Sequence, residues 1–178
     1  MIHSGMAISL GGGNHMKNLA KAIADSDLRD IRICSPSEAT ITHCQQLGLT
    51  LDGNLTHTDL AFDGCDCIDD NLSALKSNGA IFTYEKRHAL LSDQFVILSP
   101  ASRYQPQLDV ATPLTIELIE AALPLVTACA KRLGLRYQLR EAANYMGYTR
   151  TRDGNLLVDC YADTWQNIAS INQQFIQL

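Results

Sequence analysis

Short apolar runs alternate with amphipathic stretches through the first hundred residues. Ala7-Ile8-Ser9-Leu10 is an apolar run of strand length, followed by Gly11-Gly12-Gly13-Asn14. Met16 to Ile23 then has helical spacing, with Leu19 and Ile23 on one face. Ile31 to Cys34 reads as a second strand. Ser35-Pro36-Ser37-Glu38 reads as a helix start with Ser37 as N-cap, and that helix ends near Gly48. Leu49 to Leu51 predicts a short strand, Asp52-Gly53-Asn54 a turn, and Thr58 to Phe62 a third long apolar strand. Ala80 to Leu91 predicts a helix and Phe95 to Leu98 a strand. Strands alternating with helices imply a parallel, doubly wound sheet, whose ligands sit at the carboxyl ends of its strands. Gly11-Gly13 and the residues after Phe62 both fall at such ends, so one pocket is expected to use both.

The pattern changes after Ser99. Pro100, Pro106 and Pro113 punctuate a looser connection. Leu114 to Leu118 reads as a strand, and Glu120 to Leu133 as a helix closed by Gly134. Tyr137 to Arg140 and Leu156 to Cys160 read as strands joined through a hairpin signal at Asp153-Gly154. Thr164 to Ile171 looks helical, and Phe175 to Leu178 reads as a last strand. Strand-helix-strand-strand-helix-strand is the ferredoxin-like order. The expected fold is therefore α/β. A Rossmann-like αβα sandwich with a parallel sheet is expected over residues 1–110, and a smaller ferredoxin-like α+β domain over residues 111–178.

Charge and composition narrow the chemistry. The net charge of −5 and pI near 5.4 argue against nucleic acid, which requires a basic footprint, but leave room for a small anionic substrate in one local positive pocket. No apolar run reaches membrane-spanning length, and the stretch from Met1 to Met6 leads straight into a strand, so neither a membrane partner nor a cleavable leader is expected. Six cysteines without a leader read as free thiols in a reducing cytoplasm. Cys65-Asp66-Cys67 lacks zinc-knuckle spacing, and His3, His43, His57 and His88 show no ligand spacing, so no metal is expected.

The chemistry-bearing run is Asp63-Gly64-Cys65-Asp66, then Lys76 on a Gly-containing turn (Ser77-Asn78-Gly79), then Glu85-Lys86 on the next helix. Carboxylates and an ammonium gathered at a strand end suit proton transfer through a transient oxyanion. Each residue also has a plainer reading. Asp-Gly forms turns, surface lysines are common, and glutamates often sit solvated on helices. Asp69 and Asp70 read as helix-capping or solvated residues.

This run resembles the type A ribose-5-phosphate isomerases, in which a D-G-A-D strand end, a K-G-G-G turn and an R-E-K helix line the pocket. Thr112-Pro113-Leu114 through Glu117 is similar to the family's P-L-P-V-E-V segment, Asp153-Gly154-Asn155 through Asp159 to its D-N-G-N-x-x-L-D strand, and Arg140-Glu141 to a nearby charged strand. The resemblance implies an aldose–ketose isomerase converting ribose 5-phosphate to ribulose 5-phosphate through an enediolate, without metal or organic cofactor. It implies Glu85 as general base, Asp66 as proton shuttle between sugar oxygens, Asp63 as orienting group and Lys76 as oxyanion partner. Two acids so close are expected to push one pKa upward and leave that carboxyl protonated. Substrate contacts are implied at Gly11, Gly12, Gly13, Asn14, His15, Ser77, Asn78, Gly79 and Arg103, and a homodimer or homotetramer is expected.

Departures from the family pattern keep other readings open. Its G-x-G-S-T loop is Gly11-Gly12-Gly13-Asn14-His15 here, without the hydroxyls. Its K-G-G-G turn is Lys76-Ser77-Asn78-Gly79, and a later lysine is Arg103. A helix before the first strand, a lysine near the substrate and the closing strands have no counterpart in these 178 residues. A sugar or sugar-phosphate binding paralogue without turnover and an isomerase of a different sugar are the alternatives.

Overall fold

The computed structural model describes residues 1–178, and the chain divides into two compact units. Unit 1 comprises Met1–Cys65 and Ile81–Pro100, and unit 2 comprises Asp66–Ala80 and Ala101–Leu178. The division differs from the expected boundary near residue 110. The strand and turn residues 66–80, and the segment 101–110, belong with the second unit because their apolar side chains lie in its core.

Unit 1 is a four-stranded parallel sheet in the order β2-β1-β3-β6. Its strands are β1 (Ala7–Leu10), β2 (Arg32–Cys34), β3 (Thr58–Asp63) and β6 (Ser92–Ile97). Helices α1 (Asn14–Ala24), α2 (Glu38–Gln46) and α3 (Phe82–Leu90) connect them. The expected αβα arrangement with β1 and β3 in one sheet is present, paired as Ile8↔Leu60, Ser9↔Ala61 and Leu10↔Phe62. Both strands read as nearly unbroken apolar runs because a central parallel strand is covered on both faces. Ile8, Leu10, Ile33, Leu60 and Phe62 form the core with Met16, Ala20 and Ile23, the inward stripe of α1. Ser37 caps α2 by accepting from the Thr40 N–H at 3.3 Å. The strand expected at 49–51 is reduced to one bridge between Ile33 and Leu51, since its chain touches only the sheet edge before turning at Asp52.

Unit 2 holds a three-stranded antiparallel sheet in the order β7-β9-β8, with β7 (Leu114–Leu118), β8 (Arg136–Leu139) and β9 (Leu156–Tyr161). Helices α4 (Leu123–Arg132) and α5 (Ile168–Ile176) complete it. The last strand of the ferredoxin-like order is absent. Phe175, expected in that strand, is the buried anchor of α5 and packs in a core with Leu118, Val126, Val158 and Trp165. The Asp153-Gly154 signal makes a local turn, with Gly154 at φ 81° and Arg150 bridged to Leu156, rather than joining β8 directly to β9. A two-stranded hairpin, β4 (Cys67–Ile68) and β5 (Ala74–Leu75), was not foreseen. Its apolar residues Cys67 and Leu75 are buried in the unit 2 core. Asp69 shapes its turn by accepting from the N–H groups of Asn71 at 3.0 Å and Ser73 at 2.8 Å, which replaces the expected helix cap.

Candidate active site

In unit 1 the functional groups gather at the carboxyl ends of β1 and β3. The sheet order reverses between these strands, so a crevice opens at their ends. The Gly11 N–H donates to the Phe62 carbonyl at 2.8 Å, carrying the strand pairing one residue past β1 and setting Gly11 beside Asp63. A Cβ at Gly11 would collide with the Asp63 carboxylate, so the close approach requires glycine. The Gly11 carbonyl is held by the buried Thr40 hydroxyl at 2.8 Å. Asp63 itself is buried, and its Oδ1 accepts from the Gly64 N–H at 2.7 Å.

Glu85 reaches the same strand ends. It is the buried residue of α3, only 8% exposed, and lies in the helix's first turn, where a negative charge is favoured. A Cβ at Gly12 would stand 3.6 Å from Glu85 Oε1, which places the carboxylate against the glycine loop. The solvated-helix reading of Glu85 is therefore excluded. One turn further along α3, His88 Nδ1 lies 2.8 Å from the buried Ser9 hydroxyl and 3.6 Å from Cys34 Sγ. Ser9 inside an apolar strand was the sequence signal for this contact.

Gly13 precedes α1 at φ 92°, a left-handed conformation suited to glycine. No side chain caps the helix start, and Asn14 and His15 are exposed there. Backbone N–H groups of this kind favour an anion.

In unit 2 the Lys76-Ser77-Asn78-Gly79 turn wraps Asp66. Asp66 Oδ2 accepts from the N–H groups of Ser77 at 2.7 Å and Asn78 at 3.0 Å, and Oδ1 accepts from Asn78 Nδ2 at 2.7 Å. Arg103, in a single 3₁₀ turn at Ala101–Arg103, places Nη1 3.8 Å from Asp66 Oδ1. Burial pushes the Asp66 carboxyl up, but the Asn78 and Ser77 donors and the Arg103 charge outweigh it and hold the group below the ordinary range. Asp66 is therefore not a carboxyl that crowding leaves protonated: it is an ionised acceptor. The turn donors expected to face a ligand serve Asp66 instead, and the Ser77 hydroxyl is spent on the Pro113 carbonyl at 2.6 Å. Lys76 is half-buried, and Gly79 takes φ 81°.

Asp66, Ser77, Asn78 and Arg103 line a cleft of about 480 Å³ within unit 2, together with Thr112, Arg140, Asp159 and Tyr161. Arg140 and Asp159 form a partly buried ion pair on the wall of this cleft. Its signal was a carboxylate inside the apolar run Leu156-Leu157-Val158-Asp159-Cys160, since a buried acid demands a partner. All six cysteines are buried free thiols. No group of three or more His, Cys, Asp or Glu side chains is arranged to hold a metal ion, and no helix is long and apolar enough to cross a membrane.

Known proteins resemble this chain in sequence and in fold. The family model described as ribose 5-phosphate isomerase A (phosphoriboisomerase A) matches residues 32–178, beginning after the glycine loop. Ribose-5-phosphate isomerase A of Roseiflexus sp. (strain RS-1) is 34% identical over 166 residues, covering 89% of this chain and 70% of the relative. Among solved structures, a D-ribose-5-phosphate isomerase in complex with phospho-erythronic acid superposes with a TM-score of 0.90 at 22% identity, covering 99% of this chain and 80% of the other. The ribose 5-phosphate isomerase of Plasmodium falciparum gives 0.87 at 22% identity, with 98% and 79% covered. These structural likenesses establish the fold, and the sequence matches establish descent: the chain belongs to the ribose-5-phosphate isomerase A family of aldose–ketose isomerases.

Proposed function

We propose that this chain interconverts ribose 5-phosphate and ribulose 5-phosphate, with Glu85 as the general base. The observation that carries this reading is the burial of the Glu85 carboxylate against the glycine loop at the end of β1. A carboxylate withdrawn from bulk water and held in place can take a carbon-bound proton and return it.

In the proposed cycle Glu85 removes the proton from C2 of the open-chain aldose. The electron pair forms the C1–C2 double bond of an enediolate, and negative charge develops on O1. Lys76 stabilises that oxyanion. Asp66, ionised as its donors require, accepts the O2 proton and passes it to O1, while Asp63 orients the sugar. Glu85 then returns its proton to C1, which yields the ketose. Arg103 keeps Asp66 charged through the cycle. The N–H groups at the start of α1, with Gly11, Gly12 and Gly13, receive the phosphate, and Asn14 and His15 supply donors where the family has hydroxyls. Ser77, Asn78 and Gly79 support the site by fixing Asp66 and the turn that presents Lys76.

A second reading, isomerisation of a different sugar, draws on the exposed Asn14 and His15 at the phosphate loop. Coupled assays across pentose and hexose phosphates and their unphosphorylated sugars separate the two. Turnover of ribose 5-phosphate with exchange of its C2 proton in D₂O supports the first reading. Binding without exchange for every sugar would instead identify a non-catalytic paralogue. Six buried thiols suit a reducing cytoplasmic setting. A homodimer or homotetramer is the proposed assembly, checked by light scattering.

A further inference from the structure

Arg140 is clamped on one wall of the unit 2 cleft. Its Nε donates to Asp159 Oδ2 at 2.9 Å, and Nη2 donates to Thr115 Oγ1 at 2.9 Å and to Asp159 Oδ1. The Thr115 hydroxyl donates in turn to Asp159 Oδ1 at 2.6 Å. Nη1, with two N–H donors, has no hydrogen-bond partner among the described residues, and the side chain remains 20% exposed. A planar guanidinium fixed at one edge and open at another loses little freedom when it binds a ligand.

The charges around it select the kind of ligand. Arg140 is paired with Asp159 and Arg103 with Asp66, so two cations and two anions line the cleft. A phosphate dianion finds no excess positive charge here. Uncharged oxygens do find donors, because a neutral acceptor asks only for hydrogen bonds.

We infer that Arg140 is a substrate-binding residue whose Nη1 donates to hydroxyl oxygens of the sugar chain, with Asp159 and Thr115 as positioning residues that hold it. This rests on the isomerase reading above and adds to it a point of polyol recognition in the same cleft as Asp66.

The test compares wild type with three variants: the paired change Arg140→Gln with Asp159→Asn, Arg140→Lys alone, and Thr115→Val alone. The paired change leaves no orphaned buried charge, so it guards against loss of folding. Readouts are kcat and KM for ribose 5-phosphate, inhibition by inorganic phosphate, and calorimetric binding of a non-isomerisable phosphorylated aldonic acid. The paired variant and Arg140→Lys are expected to raise KM about 10–100-fold with little change in kcat and unchanged phosphate inhibition. Thr115→Val is expected to raise KM by a smaller factor. Wild-type KM in a folded paired variant overturns the inference, as does a drop in melting temperature and kcat with KM unchanged, the mark of a structural role. Weakened phosphate inhibition would also overturn it, by moving the contact to the phosphate. If the paired variant does not fold, Arg140→Lys decides by the same criteria. A wild type that turns over nothing but loses aldonic acid binding on the paired change sinks the isomerase reading and keeps the contact. One that neither turns over nor binds sinks both.

Discussion

The Ser77 N–H points at Asp66 Oδ2 across 2.7 Å, although 11 residues separate the two along the chain. With the two bonds from Asn78, this turns an apparent ligand-binding loop into a cradle for one carboxylate. Because the folded-state pKa of Asp66 is depressed, its stabilising contribution is present above the unfolded carboxyl range near 3.8 and is lost as pH falls through the lower folded value. Asp66→Asn is therefore expected to be less stable than wild type at neutral pH and to converge with it in acid. Urea midpoints measured from neutral pH to below pH 3 check this; parallel curves across that range would contradict it.

Asn78→Ala removes the donor to Asp66 Oδ1 at an exposed position. A loss of about 1 kcal/mol is expected. The Asp66 pKa should rise, moving the acid limb of the kcat/KM profile upward. An unmoved limb would mean that Asp66 ionisation does not control turnover.

Gly11→Ala drives a methyl group into the Asp63 carboxylate. Destabilisation of about 1–3 kcal/mol is expected, with loss of activity. Gly53, in open space, serves as the control, and Gly53→Ala should be close to neutral. Thermal melts of both variants give the comparison.

Glu85→Gln preserves shape and removes the proton acceptor. A fall in kcat of about 10²–10⁴, or roughly 3–5 kcal/mol of barrier, is expected with little change in substrate affinity. Full turnover in this variant would leave the enzyme standing and remove Glu85 as its base. Lys76→Ala should also slow turnover through lost oxyanion stabilisation.

The thiols should be inert in the native state. Burial pushes Cys34 and Cys44 up, and burial together with the Asp159 charge pushes Cys160 up to about 12. Titration with an aromatic disulfide at pH 8 is expected to label none of them until denaturant is added. Labelling faster than global unfolding would reveal local opening.

The parallel sheet was legible because β1 and β3 are buried on both faces and leave unbroken apolar runs between glycine and aspartate turns. Asp63, Asp66, Lys76 and Glu85 stood out by residue type and spacing, and the structure puts Asp63 and Glu85 with the parallel sheet of unit 1 and Asp66 and Lys76 in unit 2. Local pattern did not reveal how Asp66 is held, since its donors are mostly backbone N–H groups whose direction depends on the turn. The β4–β5 hairpin was missed because two-residue strands carry no period. Phe175 was misassigned because a short apolar end fits a strand or a helix equally, and only packing against Val126 and Trp165 decides.

The chain passes between its two units after Cys65, after Ala80 and after Pro100. This has a consequence during synthesis on the ribosome. All four strands of the parallel sheet have been made once β6 is complete at Ile97. The hairpin bearing Cys67 and Leu75 emerges earlier still, yet the core that receives those side chains includes Leu118, Val126 and Val158, which are not yet translated. The nascent chain must therefore carry Asp66 and Lys76 on an unsupported excursion until its last third is made, so these two proposed site residues gain their supporting core late even where the strand scaffold is made early.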